Sequence, residues 1–171
     1  MLVGFFLVKF NLIDQLRNIK VIGWTTVVFG IFLFISDKMN VNKSIEKNFN
    51  LKSAVMIGFL QILSLMPGVS RSGITISAAR FLNFNRYDSA KISFFLSIPT
   101  LAAVSIFGIN NLIISENLSF SILNFVSIFL SFIFSYITIK VFLKYIQKFS
   151  LNIFVIYRVA LGVILLIISY L

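Results

Sequence analysis

The sequence predicts an all-α, polytopic membrane helix bundle with a re-entrant helical hairpin. Three observations carry that fold class. Of 171 residues, 59% are hydrophobic and only 12% are charged, whereas soluble domains carry roughly a quarter charged residues. Several apolar runs approach or exceed the roughly 18–20 residues needed to cross a bilayer. Between two of these runs, Pro67-Gly68-Val69-Ser70-Arg71-Ser72-Gly73-Ile74-Thr75 sets an arginine, two serines and a threonine. A charge at bilayer depth is costly, so such an arginine marks a functional site by default.

Spans are expected at 21–36, 92–114, 119–139 and 151–170, with a partial one at 1–13. Met1 leads straight into Leu2-Val3-Gly4-Phe5-Phe6-Leu7-Val8, and Lys9 breaks the run. Without a basic leader or a small-residue cleavage site this is a poor signal peptide. It reads as the tail of a transmembrane helix whose start lies upstream. Residues 37–52 form the longest polar connection, and Asn110 to Ser119 form another. Lysine and arginine bias sets orientation. The intervals with Lys38, Lys43, Lys47 and Lys52 and with Lys140, Lys144 and Lys148 fall in the cytoplasm, and Ser115-Glu116-Asn117 falls outside. Pro99 is expected to kink its span.

Ser53–Met66 and Gly73–Phe84 are each too short to cross alone. Joined by Pro67-Gly68 and flanked by cytoplasmic segments, they form a hairpin over 53–84 that enters the membrane and leaves by the same side. Non-helical backbone at that depth is tolerated only where protein buries it or water lines it, which fits the polar tip. One kinked span over 54–82 is the alternative and would leave Arg71 near the bilayer centre.

The net charge of +10 does not imply nucleic acid. The lysines flank apolar runs and form no dense basic stretch with interleaved aromatics. No cysteine is present, which removes thiol chemistry and disulfides. No histidine is present either, which removes the commonest general base. The five acids, Asp14, Asp37, Glu46, Asp88 and Glu116, fall in loops or at span ends without metal-binding spacing. The abundance of Phe, Ile, Asn and Lys is read as the composition of an AT-rich genome.

The tip has the chemistry of an anion site. Gly68 and Gly73 permit close backbone approach. The free N–H groups and dipole of a helix beginning near Gly73 favour phosphate. Arg71 adds a planar fork matched to phosphate oxygens. Ser70, Ser72 and Thr75 are hydroxyl donors, and a serine becomes a nucleophile where a base activates it. The plainer alternative is that Ser70 or Ser72 caps the helix and Arg71 snorkels to an interface. Gln61 either faces the same cavity or packs between helices. Arg80 reads as an interfacial anchor, with steering of anionic head groups as the alternative, and Arg158 as an anchor or a member of an ion pair.

These residues carry a resemblance. Ile57-Gly58-Phe59-Leu60-Gln61, the 67–75 loop, Arg86-Tyr87-Asp88-Ser89-Ala90-Lys91-Ile92-Ser93-Phe94-Phe95-Leu96-Ser97-Ile98-Pro99, Phe154-Val155-Ile156-Tyr157-Arg158 and Gly162 resemble the C-terminal part of the bacitracin-resistance family of undecaprenyl-diphosphate phosphatases. The resemblance implies a hydrolase of the bacterial inner membrane that recycles the lipid carrier for peptidoglycan synthesis. It implies two inverted repeats whose hairpin tips meet in one site. By motif position Ser70 and Arg71 are then catalytic, as nucleophile and phosphate clamp. Gly68, Ser72, Gly73, Thr75 and Gln61 contact the substrate.

The family's Glu-rich segment and Ser/Gly/His motif do not occur in these 171 residues. The chain therefore reads as a single membrane domain over 1–171 without the N-terminal repeat. A divalent cation, Mg²⁺ or Ca²⁺, is implied by the family, and no residue here is assigned as its ligand. The expected partners are a polyprenyl diphosphate lipid, the bilayer, and either a second copy or a complementing N-terminal half. Two further readings remain open: a module that binds or moves the lipid diphosphate without cleaving it, and a non-catalytic remnant.

Overall fold

The computed structural model describes residues 17–39, 43–114 and 122–171. The partial span at 1–13 and the Ser115–Asn117 loop lie outside the described residues. Eight elements follow one another: α1 (Ile19–Lys38), a one-turn α2 (Ile45–Asn48), α3 (Leu51–Leu60), a 3₁₀ segment (Gln61–Leu65), α4 (Arg71–Phe81), α5 (Arg86–Ile114), α6 (Ile122–Lys148) and α7 (Asn152–Tyr170). Four of them, α1, α5, α6 and α7, are long and apolar enough to cross a membrane. All described secondary structure is helical apart from one isolated bridge between Lys43 and Phe84. The all-α membrane bundle is therefore as expected.

Two boundaries differ from expectation. The basic interval 140–148 is the last part of α6, not a loop. It has no Gly or Pro to stop a helix, and its three lysines, spaced by four residues, sit one turn apart. The 92–114 span starts earlier, at Arg86, and runs on through Pro99 without interruption.

Asparagines start three of the helices. Asn18 accepts from Lys20 N–H at 3.0 Å on α1, Asn50 from Ser53 N–H at 2.9 Å on α3, and Asn85 from Asp88 N–H at 2.8 Å on α5. Each satisfies an otherwise orphaned donor. Asparagine at these positions has a structural job beyond genome composition.

Helices α1 and α7 run antiparallel in close contact, because glycines remove side chains where they cross. A Cβ on Gly162 would come within 2.6 Å of Val27 Cγ2 and 3.0 Å of the Gly23 carbonyl oxygen. A Cβ on Gly23 would meet Leu166 at 2.8 Å. Small residues let membrane helices gain van der Waals contact that lipid cannot match. A core of Leu33, Ile76, Ala90, Ile146, Leu151 and Val155 fills the space beneath this pair. Phe94, Phe142 and Phe154 close it with edge-to-face contacts at ring separations of 5.8 and 5.4 Å. The outward faces of α5, α6 and α7 remain rows of exposed Phe, Ile and Val, the surface that lipid solvates.

The basic end of the bundle is tied by one buried carboxylate. Asp37 is 3% exposed. Its two oxygens take Arg86 Nε at 2.6 Å and Arg86 Nη2 at 3.0 Å, and Oδ2 also accepts the Leu151 N–H at 3.1 Å. The end of α1, the start of α5 and the start of α7 thus meet at one residue. Arg80, expected as an interfacial anchor, is instead buried. Its guanidinium donates to the carbonyls of Ser36 at 3.3 Å, Asp37 at 3.0 Å and Phe84 at 3.2 Å, and to that of Met39. Burial lowers its pKa, and the Asp37 carboxylate opposes that shift. Arg80 closes the last turn of α1 and the loop after α4 together.

Both arms of the hairpin return to this end. Lys43 N–H donates to the Asn83 carbonyl at 2.9 Å, and Asn85 N–H donates back to the Lys43 carbonyl at 3.0 Å. The turn between the arms meets α1 at Thr25, about 18 Å from Asp37 at the rise of roughly 1.5 Å per residue. Asp37→Asn should lower stability by about 3 kcal/mol, the low end for breaking a buried ion pair, because Arg86 is partly exposed. Denaturant titration of the protein in detergent micelles measures this loss, and an unchanged midpoint would remove Asp37 as the tie.

Candidate anion-binding site

The hairpin turns at Met66–Ser70. Gly68 has a φ of 89°, a conformation open to glycine and strained for other residues. It also lies against α1: a Cβ there would sit 2.2 Å from Thr25 Oγ1 and 2.8 Å from the Ile22 carbonyl oxygen. The turn's carbonyls have left the helical ladder and find new donors. Thr25 donates to the Pro67 carbonyl at 2.6 Å, and Arg158 Nη2 donates to the Gly68 carbonyl at 2.7 Å. Thr26 bonds chiefly to Ile22 O at 2.6 Å, with Gly68 O as a weaker second acceptor at 3.4 Å.

Ser70 follows with φ 43° and ψ 112°, outside the ordinary regions for a side-chain-bearing residue. Strain of this kind clusters at ligand sites. Ser70 caps α4, its Oγ accepting the Gly73 N–H at 3.2 Å and lying 3.4 Å from the Ser72 hydroxyl. Both serines are exposed. The helix begins at Arg71, two residues before the position the glycine implied.

Arginines flank the first turn of α4. On the α5 side, Arg71 Nη1 donates to Thr100 Oγ1 at 2.5 Å. On the α7 side, Arg158 Nη1 lies so close that a Cβ on Gly73 would be 2.7 Å from it. That nitrogen is buried and has no hydrogen-bond partner among the described residues. The role expected of Arg158, anchor or ion pair, is corrected: it reaches from α7 to the hairpin turn.

Gly68, Ser70, Ser72, Gly73 and Arg158 line a cavity of about 480 Å³. Its remaining wall is almost wholly apolar, including Leu33, Ile76, Phe142, Leu151, Phe154 and Leu161. Leu33 and Leu151 lie near Asp37, so the cavity extends from the polar turn toward the basic end of the bundle. Arg71 is not among the lining residues. Thr75, 1% exposed, faces α5: its hydroxyl lies 2.7 Å from Ser93 Oγ and also bonds to the Arg71 carbonyl at 2.9 Å. Gln61 is half-buried on the 3₁₀ segment and outside the cavity lining.

The arrangement presents a helix N-terminus, two guanidinium groups and two exposed hydroxyls, all complementary to phosphate. The described residues do not fit a divalent cation there. No carboxylate lines the cavity, and the two buried ones, Asp37 and Asp88, are engaged elsewhere: Asp88 accepts the Ile45 N–H at 3.1 Å and the Asn85 amide at 2.9 Å. Thr25, Thr26 and Thr100 escaped sequence reasoning because a threonine in an apolar helix is unremarkable. The available signal for Arg158 was a lone arginine in the second turn of a 19-residue apolar helix.

Fold and site together define a multi-pass α-helical membrane protein whose hairpin turn has the chemistry to suit an anion. The chain belongs to the family described as bacitracin resistance protein BacA, whose pattern matches residues 1–164. Among its relatives, the undecaprenyl-diphosphatase of Pelagibacter ubique is 50% identical over 98% of this chain and 65% of its own length. Those of Jannaschia sp. and Elusimicrobium minutum are 37% and 42% identical, over 98% and 88% of this chain and 62% and 57% of their own lengths. The chain thus spans less than two thirds of these relatives.

Gly68→Ala should destabilise the protein by more than the roughly 1–2 kcal/mol of a left-handed φ, since the new methyl also displaces Thr25. Thermal unfolding in detergent checks this, and a melting temperature equal to wild type would show that the turn does not need the close approach.

Proposed function

We propose that this chain binds the diphosphate of undecaprenyl diphosphate and takes part in its hydrolysis to undecaprenyl phosphate and inorganic phosphate. The observation that carries the proposal is the first turn of α4: Ser70 exposed on strained backbone, with Arg71 on one side and Arg158 on the other. The names of the relatives supply the substrate. The apolar wall of the cavity suits a polyprenyl chain whose head group lies at the turn.

In this reading Arg71 and Arg158 hold phosphate oxygens, and the N–H groups of the first turn of α4 share the developing charge. Ser70 is the nucleophile candidate, and Ser72 and Gly73 support the bound oxygens. Thr75 orients the helix end from behind. The described partners of the Ser70 hydroxyl are the Gly73 N–H and Ser72, so the group that takes its proton lies beyond the described site residues. Regenerating the monophosphate carrier would serve cell-wall synthesis in the bacterial inner membrane and oppose bacitracin.

The test is phosphate release from undecaprenyl diphosphate in proteoliposomes carrying the chain. Arg71→Ala should reduce the rate at least about 100-fold, the usual cost of removing one donor to a transition-state oxyanion, and Ser70→Ala should bring it to background. A rate untouched by Arg71→Ala overturns the site assignment. Lipid binding that needs Arg71 without any phosphate release would instead assign the chain a holding role.

A further inference from the structure

We infer that Thr100 is the positioning residue of Arg71, and that it leaves the Nε–Nη2 edge of the guanidinium for the anion. The inference rests on the phosphate-binding role proposed for Arg71. Thr100 Oγ1 has its own proton directed at the backbone of α5, with the carbonyls of Ser97 and Leu96 at 2.9 and 3.1 Å. The oxygen is therefore an acceptor toward Arg71 Nη1, 2.5 Å away. A hydroxyl holds the fork without neutralising it, whereas a carboxylate in the same place would compete with phosphate. Arginine has five N–H donors in a fixed plane. With Nη1 held on α5, the edge formed by Nε and Nη2 is the one that can grip two oxygens side by side.

A second rung supports the first. Ser93 lies seven residues before Thr100, two turns back on the same face of α5, and bonds to Thr75 at 2.7 Å. Thr75 stands four residues after Arg71, on the same face of α4. Both Ser93 and Thr75 are buried, at 7% and 1% exposure. The lower rung fixes the separation of the two helices, so the upper rung can fix the orientation of a long, flexible side chain.

The test compares Thr100→Val, which keeps shape and removes the acceptor, with Thr100→Ser, which keeps the acceptor. Farnesyl diphosphate is the soluble probe. Thr100→Val should weaken its binding about tenfold, and Thr100→Ser should remain within about twofold of wild type. Thr100→Val should add nothing in an Arg71→Ala background. Equal losses in the two Thr100 variants, or a loss that persists without Arg71, would overturn the inference. A ligand-free arm separates it from the proposed function: modification of Arg71 by phenylglyoxal, read by mass spectrometry, should be several-fold faster in Thr100→Val than in wild type or Thr100→Ser. Equal rates would also overturn it. Wild type that fails to bind farnesyl diphosphate would count against the phosphate site, while the phenylglyoxal rates would still decide the role of Thr100.

Discussion

Two carbonyl groups govern the architecture. At Pro67 and Gly68 the chain leaves the helical ladder deep in an apolar bundle, and an unsatisfied carbonyl there costs several kcal/mol. The answering donors are Thr25 on α1 and Arg158 on α7. For both to reach, α1, α7 and the turn must converge within hydrogen-bonding distance. That convergence explains why Gly68 has no room for a Cβ, and why Gly23 and Gly162 have none where α1 crosses α7. The small residues, the hydroxyls and the intramembrane arginine answer one requirement. Without it α4 would have no fixed starting point, and its N-terminus could not be aimed.

Buried Arg80 and half-buried Arg158 make an instructive contrast. Arg80 donates to four carbonyls around the ends of α1 and α4, and a buried carboxylate lies beside it. A cation so fully answered is a structural part. Arg158 spends Nη2 on one carbonyl and keeps Nη1 buried without a partner among the described residues, beside the start of a helix whose own dipole is positive. Cation and dipole repel each other, and the pairing becomes favourable when an anion lies between them. The inventory of donors separates the two roles.

The fold was legible in the sequence where length and composition decide. Runs of Phe, Ile and Leu placed all four membrane-length helices, and Pro67-Gly68 placed the turn. Boundaries failed where a helix continues through polar residues, as at Lys140, Lys144 and Lys148, because lysine is no helix breaker. The candidate site was legible in the loop itself: Ser70, Ser72 and Arg71 stand together at the start of α4. Its supports were not. Thr25, Thr100 and Arg158 come from three other helices, and only the packing reveals that they converge on one turn. Arg80 misled for the same reason, since an arginine that caps backbone carbonyls and one that binds a ligand have the same neighbours in sequence.

Three hydroxyls occur in the loop, and their surroundings divide the work among them. Thr75 is buried and committed to Ser93 and the Arg71 carbonyl, so it stiffens the joint between α4 and α5. Ser72 lies within the regular helix, exposed and unstrained. Ser70 alone combines exposure, a φ of 43° and acceptance of a backbone N–H. That N–H bond stabilises negative charge on the oxygen and so favours the alkoxide, in the direction a nucleophile needs. It also occupies the helix N-terminus that an incoming phosphate would seek. In the proposed reading, a bound phosphate takes the N–H from Ser70 and leaves its hydroxyl free, so the resting cap and the proposed nucleophile are one atom in two states of occupancy.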